Sequence, residues 1–187
     1  MPVVNTQLYD SPCGELLLAA VEDELCLCDW TNSRRAETNR QRVAKSLDAK
    51  FVNSDSEVLN KTINELNEYF AGERRTFDIP LRLVGTAFQT RVWNALLAIP
   101  YDARYTYLYI AKKIGKPKAV RAVAQAIGAN GISILVPCHR IIGSDSSLTG
   151  YAGGVKAKQW LLDLERKFNG NYPQVQHRTA IFGTGVA

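Results

Sequence analysis

The order of secondary-structure patterns along these 187 residues constrains the fold more than any other feature of the sequence. Alternating apolar stretches broken by turn residues predict two or three strands over residues 4–31. An exposed polar helix is predicted at 33–50, a second helix at 56–72, and helical periodicity then dominates from Thr86 onwards. Strands followed by a run of helices are typical of α+β proteins, so we predict an α+β (α/β two-domain) chain.

The distribution of charge indicates where the chain divides. Residues 1–84 carry ten Lys and Arg against fourteen Asp and Glu, whereas residues 85–168 carry twelve against four. We therefore predict a small sheet-and-helix domain at 1–84 and a mostly helical domain at 85–187. A positive field confined to one segment favours a polyanionic partner, with nucleic acid first. A solvated basic face without a partner is the alternative.

Two short helices in the basic segment form a helix-turn-helix pattern. Thr106 caps a helix that runs to Ile114, Gly115 turns the chain, and a second helix covers residues 119–127. Alanines in the second helix allow close approach to another backbone, and Arg121 is its one large cation. Helical hairpins inside ordinary cores show the same pattern, so the pattern alone leaves DNA binding and packing both open.

A cysteine follows the apolar run at 132–136, which we interpret as a strand. Because Pro137 cannot donate to a ladder, the strand should stop there and leave Cys138 at its rim. A neighbouring imidazole such as His139 can turn a rim thiol into a reactive thiolate. Adjacent strand residues point to opposite faces, so the two cooperate only if the chain turns or a water bridges them. A buried, inert packing cysteine is the alternative.

The remaining sequence features bear on compartment, cofactor and metal. No run approaches the roughly 18 consecutive apolar residues of a membrane span, and the amino terminus lacks a basic-then-apolar leader. We predict a cytoplasmic protein, nuclear if the source is eukaryotic, without a disulfide framework. A zinc site built from Cys13, Cys26 and Cys28 would have no histidine nearby, so we predict no metal and no cofactor.

Together these residues resemble the 6-O-alkylguanine-DNA alkyltransferases, also called methylated-DNA–protein-cysteine methyltransferases. The resemblance is close over residues 85–165 and covers the first half in outline. Its core is the sequence from Pro137 to Arg140 followed by Gly150-Tyr151 and Gly153-Gly154, and the segment 115–123 agrees as well. The resemblance implies single-turnover DNA repair, in which the alkyl group of 6-O-alkylguanine in duplex DNA passes to a cysteine. It leaves open whether 4-O-alkylthymine is a second substrate.

The resemblance also implies a role for each site residue. Cys138 would accept the alkyl group, with His139 as its base through a bound water and Glu165 orienting the imidazole. Arg121 would fill the space that the flipped base leaves, and Tyr107 would crowd the rotated phosphate. The residues that support the active-site segment would be Asn130, Pro137 and Arg140. Those that contact DNA or the damaged base would be Tyr107, Arg121, Ser144, Tyr151, Ala152 and Gly153.

Two departures and three rival functions accompany this interpretation. Gly131 and Ser133 stand where some relatives have prolines, which leaves the tolerated size of the alkyl group open. The cysteines of the first half do not reproduce the spacing of the zinc site of some relatives, which also predicts no metal there. The rivals are a lesion-binding protein without transfer activity, a helix-turn-helix transcription regulator, and a thiol enzyme acting on small molecules. We predict a monomer bound to double-stranded DNA that contains alkylated guanine, with cooperative assembly on DNA left open and no membrane association.

Overall fold

A four-stranded sheet and two helices form the first half of the structure, a computed structural model that describes residues 1–170. The elements are β1 (Val3–Ser11), β2 (Gly14–Val21), β3 (Glu24–Trp30), α1 (Ala36–Leu47), β4 (Lys50–Asn53) and α2 (Glu57–Phe70). The first three strands pair antiparallel, and β4 joins parallel to β1, giving the order β3-β2-β1-β4. This confirms the strands predicted over 4–31, while β4 was not anticipated.

Helices dominate the second half, as predicted. The elements are α3 (Ala87–Leu97), β5 (Tyr105–Thr106), α4 (Tyr107–Lys113), α5 (Val120–Gly128), a 3₁₀ turn (Cys138–Arg140), β6 (Ile141–Ile142) and α6 (Gly154–Asn169). Thr86 and Gln89 form a capping box at the start of α3. Thr106 caps α4 by accepting a hydrogen bond from the backbone N–H of Tyr109. The helix-turn-helix pattern is therefore present as α4 and α5.

The two halves share one hydrophobic core rather than facing each other across a polar gap. Buried side chains of β2, β3 and α2 lie in the same cluster as those of α3, α5 and α6. Backbone hydrogen bonds also join the halves, since the N–H of Cys28 donates to Gly131 at 2.8 Å and that of Ser133 donates to Cys28 at 2.7 Å. The domain boundary at 84/85 stays a prediction, and residues 171–187 of the second predicted domain lie outside the described residues.

The predicted strand at 132–136 is wrong. Only Ile132 makes a bridge, to Cys28, and the chain then turns tightly, with Ile134 at a φ of 72°. The side chain of Asn130 is the physical reason. Its Oδ1 accepts from the N–H of Ile132, while its Nδ2 donates to the carbonyls of Ile132 and Val136, so these groups are satisfied without a ladder. Pro137 consequently follows a turn, not a strand.

The polar helix predicted at 33–50 is shorter than expected. It covers Ala36–Leu47 and ends at Asp48, which adopts a left-handed conformation with a φ of 46°. The turn frees Lys50–Asn53 to form β4.

Among the helices of residues 1–170, none is both long and apolar enough to cross a membrane.

Candidate active site

Cys138 begins the 3₁₀ turn and is buried, with only 6% of its surface exposed, so its predicted position at an open strand rim is wrong. Asn130 donates from Nδ2 to the Cys138 Sγ at 3.2 Å, with the same amide that holds the preceding turn. Pro137 precedes the turn with a φ of −80°, which its ring favours. One buried amide therefore fixes both the backbone that carries the thiol and the thiol itself.

His139, which follows this cysteine in sequence, forms a fully buried pair with Glu165 of α6. The His139 Nε2 lies 2.7 Å from Glu165 Oε1. The carboxylate also accepts hydrogen bonds from the Arg140 guanidinium at 2.9 and 3.0 Å, the Tyr69 hydroxyl at 2.7 Å and the backbone N–H of Asp102 at 3.0 Å. A buried carboxylate needs this many donors, because an unpaired one would be strongly destabilising.

Charge and hydrogen bonding determine which nitrogen of His139 carries the proton. Burial alone would raise the pKa of Glu165, but His139 and Arg140 outweigh it and hold the pKa well below its usual range. Burial lowers the pKa of His139, with Glu165 opposing that effect. A neutral imidazole facing a carboxylate donates from Nε2, which leaves the lone pair on Nδ1. Nδ1 is buried and has no hydrogen-bond partner within residues 1–170, so it can accept a proton.

The thiol of Cys138 is protonated at rest. Burial raises the pKa of Cys138 to about 11, against the opposing effects of the Asn130 hydrogen bond and the Lys158 charge. Lys158 is 1% exposed and donates from Nζ to the carbonyls of Ile141 and Thr149. The reactive thiolate must therefore be generated by a base, in surroundings that already contain one buried cation.

An open cavity of about 620 Å³ lies between the helix-turn-helix and the loop at 149–154. Tyr107 of α4 lines it and donates from its hydroxyl to the carbonyl of Thr149 at 3.4 Å. Tyr151, Ala152 and Gly153 line the same cavity. Burial is the main reason why the pKa of Tyr151 is raised well above its usual range, so its hydroxyl stays protonated beside the cavity.

The other two predicted DNA contacts lie apart from this cavity. Arg121 is exposed near the start of α5 and does not line the cavity. Ser144 is exposed in the turn after β6 and does not line the cavity. The structure thus gathers Asn130, Pro137, Cys138, His139, Arg140 and Glu165 in one buried group and places Tyr107, Tyr151, Ala152 and Gly153 at the cavity.

Gly153 leaves room for Trp30 beside the loop. A Cβ at this position would lie 2.6 Å from the indole ring, far inside van der Waals contact. Trp30 also meets the ring of Tyr151 edge-on, with the ring centroids 5.9 Å apart. The first half of the chain therefore shapes the loop through a single buried tryptophan.

The sequence interpretation missed two site residues, Tyr69 and Lys158. Tyr69 falls on the apolar face of α2, where nothing in the sequence separates it from a packing aromatic. Lys158 did leave a signal, because it lies three residues before Leu161 and seven before Glu165, the spacing of one helix face. A lysine and a glutamate on the buried face of one helix indicate a polar site.

Within residues 1–170, no group of three His, Cys, Asp or Glu side chains is placed to bind a metal.

Comparisons with known proteins agree with this geometry. A family model described as the 6-O-methylguanine DNA methyltransferase DNA binding domain matches residues 87–167, and the ribonuclease-like domain of the same family matches residues 4–83. The constitutive methylated-DNA–protein-cysteine methyltransferase of Bacillus subtilis (strain 168) is 42% identical over 163 residues, which are 84% of this chain and 92% of that protein. The Methanosarcina acetivorans protein named methylated-DNA–protein-cysteine methyltransferase is 43% identical over 158 residues, 84% of this chain and 96% of its own.

A solved structure shares both the fold and much of the sequence. Mycobacterium tuberculosis OGT in complex with DNA is 40% identical, covers 89% of this chain and 94% of its own, and superposes with a TM-score of 0.74. The two family models together, and each of these relatives, cover the sheet as well as the helical half. The chain belongs to the 6-O-methylguanine DNA methyltransferase family.

Proposed function

We propose that this chain repairs duplex DNA by transferring the alkyl group from the 6-oxygen of guanine to Cys138, once per molecule. It would thus act as a methylated-DNA–[protein]-cysteine S-methyltransferase. The observation that carries the proposal is a buried thiol held by Asn130 beside a His139–Glu165 pair whose free nitrogen is unpartnered. A nucleophile, its base and the group that orients the base are the three parts that nucleophilic catalysis requires.

The chemistry begins with removal of the thiol proton. A water between the two side chains passes the proton from Cys138 to Nδ1 of His139, while Glu165 stabilises the imidazolium that forms. The sulfur electron pair then forms a bond to the alkyl carbon as the carbon–oxygen bond breaks. The bonding electrons go to the guanine oxygen, and the base takes up a proton to give guanine. Because a thioether is a poor leaving group, the S-alkylcysteine persists and the molecule reacts once.

The damaged base must leave the duplex to reach a thiol that is only 6% exposed. Flipping costs a few kcal/mol, and less for a damaged pair. We assign the vacated space to Arg121, which is exposed on α5 and free to enter the duplex. Tyr107 and the loop around Tyr151 line the cavity that would receive the base, with the backbone of Ala152 near the guanine oxygen. Small alanines on α5 suit close approach to the DNA backbone.

The cellular compartment follows from the thiol chemistry. A cysteine that must stay reduced to act favours a reducing compartment. We therefore place the reaction in the cytoplasm, or in the nucleus of a eukaryotic source. The described cysteines are all free thiols.

Intact-protein mass spectrometry tests the proposal directly. After the protein is mixed with a duplex that carries one 6-O-methylguanine, we expect a gain of one methyl group, mapped to Cys138 and limited to one per molecule. The Cys138→Ser variant should bind the same duplex without any mass gain, because the basic surface remains and the nucleophile is lost. Tight binding by the unaltered protein without a mass change would overturn the proposal and favour a lesion sensor or a regulator.

A further inference from the structure

Two segments from different halves of the chain line the cavity together. One part of the lining comes from α4, α5 and the loop at 149–154. The other part of the lining is the connection between β3 and α1, residues 32–35, which contains Arg34 and Arg35. The first half of the chain is acidic as a whole, yet it presents two consecutive arginines at this position.

These two arginines have no counter-charge. Both are exposed, and neither guanidinium makes an ion pair or a hydrogen bond within residues 1–170. None of the described residues that line the cavity is acidic. Two adjacent cations at the wall of an open cavity repel each other and attract anions, and a planar guanidinium matches a phosphate with two parallel hydrogen bonds.

Nearby Arg42 shows how an arginine is used structurally in the same region. It donates from Nη2 to the carbonyl of Ala129 at 3.0 Å, and its guanidinium lies 5.4 Å from the centre of the Trp93 ring. Burial lowers the pKa of Arg42, the charge of Asp29 opposes this effect, and the positive charge of Arg35 adds to it. Arg42 joins the two halves, whereas Arg34 and Arg35 are left facing the cavity.

We infer that Arg34 and Arg35 bind backbone phosphates of the DNA strand whose base enters the cavity, an inference that rests on the proposed function. A flipped nucleotide keeps its flanking phosphates at the mouth of the site, because the strand remains continuous on both sides. Tyr107 and the arginine pair line the same cavity, so the strand would be held by α4 and by the β3–α1 connection together. The first half of the chain, otherwise repelled by DNA, then contributes directly to substrate binding.

The test compares the double variant Arg34→Gln/Arg35→Gln with the control Lys45→Gln/Lys50→Gln. The control removes the same charge from two exposed positions away from the cavity. Lys45 lies roughly 15 Å from Arg35 along the axis of α1, and Lys50 begins β4. The logarithm of the duplex binding constant falls linearly with the logarithm of the salt concentration, with a slope of about −0.9 for each phosphate contact. In the arginine variant we expect the magnitude of this slope, measured with unmodified duplex, to be smaller by about 1 to 2. In the control it should stay close to that of the unaltered protein.

Transfer rates separate this contact from damage to the active site. The arginine variant should react with free 6-O-benzylguanine as fast as the unaltered protein, and about tenfold more slowly with methylated duplex. Equal slopes and duplex rates in the arginine variant and the control would overturn the inference, as would an equal loss with the free base. If the unaltered protein transferred no methyl group, the proposed function would fail, while the salt slope on unmodified duplex would still report the phosphate contact.

Discussion

Tyr69, near the end of α2, donates a 2.7 Å hydrogen bond to Oε1 of Glu165, which lies 96 residues further along the chain. The same oxygen accepts from the imidazole of His139. Burial, and then the neighbouring carboxylate, raise the pKa of Tyr69 well above its usual range, so the hydroxyl stays a donor. The first half of the chain thus helps to position the carboxylate that orients the base.

Removing this hydroxyl should destabilise the protein and slow transfer. For Tyr69→Phe we expect the free energy of unfolding to fall by about 1.5–3 kcal/mol, the contribution of a hydrogen bond to a charged group. Transfer to Cys138 should slow several-fold, because Glu165 loses one of the donors that hold it. Denaturant unfolding and single-turnover kinetics with methylated duplex measure the two effects.

Tyr101 provides a matched control for this substitution. It packs edge-on against Tyr69, and its hydroxyl is buried without a hydrogen-bond partner among residues 1–170. Tyr101→Phe should leave both stability and rate almost unchanged. If the two variants lost stability equally, the effect would come from packing around the rings and not from the bond to Glu165.

Acid should destabilise the protein in two steps. The pKa of His139 is lowered below 6.5 in the folded state, so the unfolded chain binds more protons there and stability falls as pH drops through that range. Glu165, whose pKa is lowered from 4.5, adds a further loss below that value. The denaturant midpoint measured at successive pH values should therefore decline from about pH 6.5 downwards.

The variant His139→Gln separates the two steps. The stability of this variant should not change between about pH 6.5 and pH 4.5, where that of the unaltered protein already declines. The loss below pH 4.5 should be smaller in the variant, because it lacks one of the groups that lower the pKa of Glu165. The transfer rate of the unaltered protein should fall in the His139 range too, because a protonated imidazole cannot accept the thiol proton. A flat stability curve down to pH 5 would contradict the assignment of a neutral, buried His139.

The sequence predicted the helices better than the turn that carries the thiol. Capping by Thr86 and Thr106 is a local signal, and the structure contains both caps. The apolar run at 132–136 also looked local, but its backbone is satisfied by the side chain of Asn130, a contact that periodicity cannot reveal. Cys138 and His139 were recognisable because they are neighbours in one motif, which is a local signal like the helix caps. Tyr69 was not recognisable, because its partner Glu165 lies 96 residues further along the chain.

Adding a single methyl group at Gly153 should disturb the loop. In Gly153→Ala the new Cβ would meet the Trp30 indole at 2.6 Å, so the loop or the ring must move. We expect slower reaction with free 6-O-benzylguanine, since Tyr151 shifts with the loop. Gly170→Ala is the control, because a Cβ there meets nothing within 4 Å and the residue does not line the cavity. Equal rates for both variants would show that the loop has room to spare beside Trp30.

Replacing Arg121 should separate base flipping from chemistry. Arg121→Ala removes an exposed side chain on α5 and touches none of the groups that hold Cys138, His139 or Glu165. If the guanidinium fills the space that the base leaves, it offsets part of the few kcal/mol that flipping costs, so flipping becomes less favourable without it. We expect transfer from methylated duplex to slow by about tenfold or more, since each 1.4 kcal/mol is a factor of ten. Reaction with free 6-O-benzylguanine should be unchanged, because a free base needs no flipping. Single-turnover kinetics on the two substrates measure the ratio, and an equal effect on both would remove Arg121 from the flipping step.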